Sequence, residues 1–503
     1  MKPTYAAALA VVPALLTSFH GPGVAHADPA ANDCAPLHLL IANGTTESAA
    51  DADPDIDTGF GAQIALAAAT TVNTGGRPVL TRAYLPYAAS FGGKPFDRSK
   101  DTYDQSVSGG ISTARTMLAD QATRCPNQRV MLIGHSQGAE VISEIARDIG
   151  AGTGPITADR VAGVALFGDP TRAPGAAVFS APQQIAPQPI PGSRSKQVSQ
   201  VRLGSVPPPQ GGGIAPNPTR ATFGAIAGRV GSFCVAGDLS CDTPADAALA
   251  HVVANVAGQS KLDLSDPIGI LTSVGTAVGQ SLLYTGAQFV NDHISYSNGK
   301  IEVRPSGPTV LDRLVESTNP HARPEDALTQ AIKAVTKIAG MGIGAAITIA
   351  KDLLNPATIV QIAAAGVANP LAALGILGTK LADAALKLIP PVTIDNTVKL
   401  VFNEIEQGLV DNAGLVQIAM DTRYWNTAQQ HTNGYSNMPV GATGQSPVQY
   451  VTDWVTAAAA DIAATPAPSP STRSDGPGPL LASPAQPVLA ASTILGGSSG
   501  PGK

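Results

Sequence analysis

Short apolar runs, each stopped by a turn signal, recur through the first half of the chain. Residues 37–42, LHLLIA, end at Asn43-Gly44, which reads as a buried strand and then a turn. Residues 78–85, PVLTRAYL, and 129–133, RVMLI, repeat the pattern, as do 161–167, VAGVALF, before Gly168-Asp169-Pro170. Residues 198–203, VSQVRL, are read as a fifth strand. Between the runs the spacing becomes helical. One helix is expected over 105–123, ending before Cys125-Pro126, and another over 137–149. Apolar strands alternating with helices predict an α/β fold with a parallel central sheet covered on both faces.

The pattern changes further on. Residues 182–222 are rich in Pro and Gly, including PPPQGGG, and read as a long loop or flap outside the sheet. Over 243–425 Ala-rich helical spacing takes over, with few strand signals. Its most apolar stretches are 338–350 and 357–378. The first is too short to cross a bilayer and the second is broken at Asn369-Pro370, so both read as part of a buried helical insertion or cap. Residues 426–463 return to a histidine-bearing loop and an amphipathic closing helix, and 464–503 have the composition of a disordered Pro/Gly/Ser tail.

Composition narrows the function classes. Of 503 residues, 44% are hydrophobic and 14% charged, so a large core is easily filled. The net charge is −6 with no basic cluster, and nucleic acid is not an expected partner. Residues 1–27 read as a secretory signal: Lys2, an apolar core over 6–16, and Ala25-His26-Ala27 as a cleavage site. The expected core then begins at residue 28 and runs to 242. Export makes the four cysteines Cys34, Cys125, Cys234 and Cys241 candidates for two disulfides, with three pairings open.

The chemistry starts at RVMLIGHSQGAEV. Gly134-His135-Ser136-Gln137-Gly138 matches G-x-S-x-G between a strand and a helix, the context a nucleophile elbow requires. Ser136 is therefore the expected nucleophile, set at a helix N-terminus that favours negative charge. Attack on a carbonyl produces an oxyanion, which needs preorganised donors. The Gln137 N–H is one, and Thr45, in the turn ANGTTES after the first strand, is the other. A serine also needs a base and an orienting carboxylate. Asp238, in FCVAGDLSCD, lies between two cysteines and is the expected acid; Asp169 in FGDP is the rival, read as a structural turn aspartate.

Taken together, C…NGTTES, CP…RVMLIGHSQGAEV, GVALFGDP and CVAGDLSCD resemble the cutinase family of secreted serine esterases, in particular its larger mycobacterial-type members. The likeness covers residues 34–241. It implies a three-layer α/β-hydrolase core, a Ser136–Asp238–His triad, an oxyanion hole of Thr45 and Gln137, and disulfides Cys34–Cys125 and Cys234–Cys241. By chain-entropy arguments such bonds contribute roughly 4–5 and 2–3 kcal/mol respectively.

Three histidines follow the acid. His251 sits in a continuous helical pattern; His293 lies in VNDHISYSNG, ahead of GPTVLDRLVES; His431 lies in AQQHTNGYSN, ahead of the last helix and Trp454. His431 is the expected base, with His293 as the alternative and His251 third. The chain is expected to hydrolyse carboxylic esters through an acyl-enzyme, on lipidic or apolar substrates, with no metal or organic cofactor. A secreted location and a cell-envelope or lipid surface follow as the expected place of action. A non-catalytic envelope-binding protein and an acyltransferase using the same triad are the alternatives. Nothing in the chain specifies an oligomeric state.

Overall fold

The computed structural model describes residues 34–93, 99–181, 183–194, 196–217 and 222–262, scattered positions between 273 and 333, and 422–465. The expected signal segment 1–27, the apolar runs 338–350 and 357–378 and the tail from 466 lie outside the described residues. Among those described, no helix is long and apolar enough to cross a membrane.

Five strands form one parallel sheet: β1 (Leu37–Ala42), β2 (Leu80–Tyr84), β3 (Arg129–His135), β4 (Val161–Phe167) and β5 (Val230–Phe233), in the order β2-β1-β3-β4-β5. All four pairings are parallel. Their side chains alternate between two cores. Leu37, Leu39, Ile41, Met131, Ile133 and Phe167 face one; Leu40, Val130, Leu132, Val164 and Leu166 face the other. That double burial is why these strands read as continuous apolar runs.

Helices α1 (Gly59–Val72) and α6 (Pro447–Ala463) pack together on the first face. Helices α2 (Tyr103–Arg124) and α3 (Gln137–Ala151) cover the second. The result is the three-layer arrangement the resemblance implies. Helices α2 and α6 begin at capping boxes, Thr102 with Gln105 and Ser446 with Gln449, each satisfying otherwise orphaned N–H groups. Trp454 of α6 is wholly buried, and its ring edge fills the space a side chain on Gly163 of β4 would need.

The strand expected at 198–203 is not one. Val198–Gln200 form a 3-10 turn, and Leu203 makes only an isolated bridge to Gly441. The N–H groups of Lys196, Gln197 and Val198 all donate to the carboxylate of Asp461 on α6, at 3.0–3.2 Å, and are unavailable to a ladder. Val198 and Val201 are apolar because they are buried in the core that α6 closes. The fifth strand is β5, beside β4, in a stretch the apolar pattern left unassigned.

Between acid and base, α4 (Ala248–Gly258) packs on α2 and on α5 (Val310–Thr318). The hairpin β6 (Ile294–Ser297) and β7 (Lys300–Val303) interrupts the helices expected there. The sequence dipeptide Asn298-Gly299 is a strong hairpin signal that the Ala-rich surroundings mask in a reading by composition. Polar contacts tie this region to the core: Asn319 Nδ2 donates to the Pro216 carbonyl at 3.0 Å, and the Leu262 N–H to that of Gly92 at 2.9 Å.

Candidate active site

The turn from β3 into α3 forces Ser136 to φ 56° and ψ −125°, a region non-glycine residues avoid at about 1–3 kcal/mol. The Ser136 N–H is held by the Phe167 carbonyl at 2.8 Å, so β4 anchors the turn. Close approach of α3 to β1 demands Gly138, where a Cβ would lie 2.1 Å from the Ala42 carbonyl oxygen. Ser136 thus stands at the C-terminal edge of the sheet, at the N-terminus of α3.

His431 reaches it from 295 positions later in the chain. It sits in a wide helical turn, Gln430–Gly434, with Nε2 2.7 Å from Ser136 Oγ. Its Nδ1 lies 2.9 Å from both carboxylate oxygens of Asp238. Asp238 is fully buried on the loop after β5, which the Cys234–Cys241 bond closes. Two further donors hold it: the Ser240 N–H to Oδ1 at 3.0 Å and the Tyr435 hydroxyl to Oδ2 at 2.6 Å. Cys34 is bonded to Cys125, tying the chain before β1 to the end of α2.

Burial works against a charged His431, but the Asp238 carboxylate, by charge and by hydrogen bond, outweighs it, with a further contribution from Glu47. The imidazole pKa stands above its ordinary value. Burial, reinforced by the same carboxylate, pushes the Tyr435 phenol far up, so it remains a donor.

The Thr45 turn lies against the serine: a side chain on Gly44 would come within 3.2 Å of Ser136 Cβ. In that turn the Thr46 N–H is spent on the Ala89 carbonyl at 2.8 Å and the Gly44 N–H on Glu47 Oε2 at 2.8 Å. The Gln137 side chain is committed as well, accepting from Ser106 Oγ at 3.1 Å and donating to the Ser90 carbonyl at 2.9 Å. Its N–H, at the first position of α3, has no acceptor within its own helix.

The other candidates are engaged elsewhere. His251 Nδ1 meets the Ile214 carbonyl at 2.7 Å. His293 is buried, stacked on Phe289 with ring centroids 4.8 Å apart, and its Nε2 is 3.3 Å from Arg313 Nη2. Asp169 accepts from Ser143 Oγ at 2.9 Å and from the Thr171 N–H and hydroxyl at 2.8 and 2.7 Å.

Sequence reasoning missed four partners at this site: Tyr435, Ser240, His135 and Glu47. Tyr435 lies four residues after His431, so both can grip one carboxylate from a single helical stretch. The motif G-x-S-x-G treats position 135 as free and was silent about His135.

A family model described as Cutinase matches residues 33–261. The carboxylesterase Culp6 homolog of Corynebacterium glutamicum is 30% identical over 230 residues, 44% of this chain and 72% of that protein. Carboxylesterase Culp1 of Mycobacterium tuberculosis is 32% identical over 158 residues, 31% of this chain and 60% of that protein's length. Among solved structures, an acetyl xylan esterase overlaps 48% of this chain and 100% of its own, at 16% identity and a TM-score of 0.28.

Proposed function

The chain belongs to the cutinase family and is a carboxylic ester hydrolase, and from there we propose that Ser136, His431 and Asp238 are its catalytic triad. What carries the reading is one imidazole with Nε2 at 2.7 Å from a strained serine hydroxyl and Nδ1 at 2.9 Å from a buried carboxylate. His431 Nε2 takes the proton of Ser136 as Oγ bonds to the ester carbonyl carbon. The oxyanion of the tetrahedral adduct accepts from the Gln137 N–H and from Thr45, whose donors are the ones its turn leaves unspent. Collapse breaks the ester C–O bond, and His431 returns the proton to the departing alcohol. Water, deprotonated by the same imidazole, then attacks the acyl carbon; the bond to Ser136 Oγ breaks, His431 returns the proton to Oγ, and the acid is released. Asp238 fixes the ring tautomer and stabilises the imidazolium.

We read the chain as a secreted enzyme whose signal spans 1–27 and whose core spans 28–242 with two disulfides, followed by an insertion over 243–425 and a return of the core at 426–463 with the base and α6. Its substrates are esters of lipidic or apolar acids, met at an envelope or lipid surface.

The test is hydrolysis of p-nitrophenyl esters by the full chain and four variants. Ser136→Ala and His431→Ala should lose activity by about 10⁴-fold or more, while His293→Ala and His251→Ala, per folded molecule, keep it within a few-fold. Full activity in Ser136→Ala would discard the triad; loss in His293→Ala with retention in His431→Ala would reassign the base.

A further inference from the structure

A hydrogen-bonded pair that the triad does not use joins three separate pieces of the site. Glu47 Oε2 accepts from the Gly44 N–H at 2.8 Å and lies 3.3 Å from His135 Nδ1. The opposite edge of that ring closes the chain of contacts: His135 Nε2 lies 3.2 Å from the backbone carbonyl oxygen of His431. His135 is buried and immediately precedes Ser136. Its ring is sandwiched between Phe60, 4.1 Å away and 12° from parallel, and the His431 ring, 5.1 Å away and 28° from parallel.

We propose that Glu47 and His135 are positioning residues that lock the Thr45 turn, the Ser136 elbow and the His431 turn into one register. The inference rests on the triad assigned above. The physical need is specific. Asp238 and Tyr435 hold the imidazole from the acid side only, and the peptide that carries the base arrives from a distant part of the chain. A catalytic constellation must be held to within about 0.5 Å, and a 1 Å displacement costs about 100-fold in rate. His135 is the contact that fixes the base's own backbone on the nucleophile side. It does so from the residue next to the nucleophile, so movement of one moves the other. Glu47 passes the same constraint to the turn that holds Thr45.

Glu47 has a second effect. Burial would raise its pKa, but hydrogen bonds from His135 and the Gly44 N–H keep it below its ordinary value, so it is charged. It then adds to the negative field on His431. The titratable groups facing that imidazole are Asp238 from the loop after β5, Glu47 from the turn after β1, His135 at the end of β3 and Tyr435 from its own segment. Removing the Glu47 charge alone should therefore lower the pH at which activity appears.

The experiment measures kcat, KM and the pH profile on a p-nitrophenyl ester, with the disulfide-bonded full chain. His135→Phe keeps the stack on Phe60 and deletes both polar contacts. It should lower kcat by about 10- to 100-fold, with KM within about twofold. His135→Gln, which retains a donor, should recover part of that loss. Glu47→Gln, unchanged in volume, should lower kcat less and shift the acid limb of kcat/KM to lower pH; it decides the matter alone if His135→Phe fails to fold. Wild-type kcat in His135→Phe, or an unmoved acid limb in Glu47→Gln, overturns the proposal. So does a loss confined to KM. If Ser136→Ala is inactive in the same assay, such a result removes the tie and leaves the triad. If Ser136→Ala is active, the triad itself falls.

Discussion

Two buried aspartates stand at the same edge of the sheet, one after β4 and one after β5, and they do opposite things with their charge. Asp169 spends its oxygens on Ser143 and Thr171, within the turn and on α3. Asp238 turns both oxygens to an imidazole that arrives from elsewhere. Burial raises the Asp169 pKa, and the Arg147 charge and its hydrogen bonds only partly offset that. The folded state then holds that proton more tightly than the unfolded chain does, so ionisation at neutral pH costs stability. Asp238 instead faces the imidazole that we propose gains a proton during the reaction. Depth and secondary structure do not separate these residues; what each oxygen faces does.

The largest effect expected on this contrast is Asp238→Asn. It leaves the volume intact but puts an amide against His431 Nδ1, favouring the wrong tautomer. We expect kcat to fall by about 10³–10⁴-fold with a folded protein, measured by ester hydrolysis and circular dichroism. Asp169→Asn should do the reverse. An amide can still accept from Thr171 and donate to Ser143, and Arg147 keeps its partner Glu144 at 2.7 Å. We expect kcat within about twofold of the parent. Asp169→Ala orphans the Thr171 N–H and leaves the Ser143 and Thr171 hydroxyls only their 3.3 Å contact with each other and the Arg147 donor, and should cost about 1–3 kcal/mol in denaturant unfolding. Equal catalytic losses at the two positions would erase the distinction.

This contrast was partly legible in the chain. LFGDP and FCVAGDLSCD both place an aspartate beyond an apolar stretch, and the flanking cysteines singled out Asp238. The parallel core was legible because strands buried on both faces leave continuous apolar runs. Ser136 was legible because its turn needs small neighbours at fixed offsets. The base was less so, since a triad is a spatial relation and sequence distance carries no information about it; His293 even has a tyrosine at a similar spacing. The false strand at 198–203 shows the limit of apolar patterning: Val198 and Val201 are buried under α6, and the pattern records burial, not pairing. The Glu47–His135 pair left no trace, because its geometry depends on three turns meeting.

The finest discrimination comes from Tyr435. Its hydroxyl donates to Asp238 Oδ2 at 2.6 Å, and its ring packs edge-on to Phe167 and Phe60. Tyr435→Phe preserves that packing and deletes one donor from a buried carboxylate, a loss of about 1.5–3 kcal/mol for a hydrogen bond to a charged group. Part of the loss appears as stability and part as a looser Asp238, so kcat should fall about 3- to 10-fold. The pH profile separates the two. The phenol draws negative charge from Asp238; without it more charge faces His431, whose pKa is already raised by that carboxylate. A general base works only when neutral, so the acid limb of kcat/KM should move to higher pH in Tyr435→Phe, opposite to the shift expected for Glu47→Gln. A purely structural role for Tyr435 would lower the amount of active protein and leave the limb where it was. The Asp169 turn, whose carboxylate faces no titrating imidazole, offers no variant that should move the limb at all.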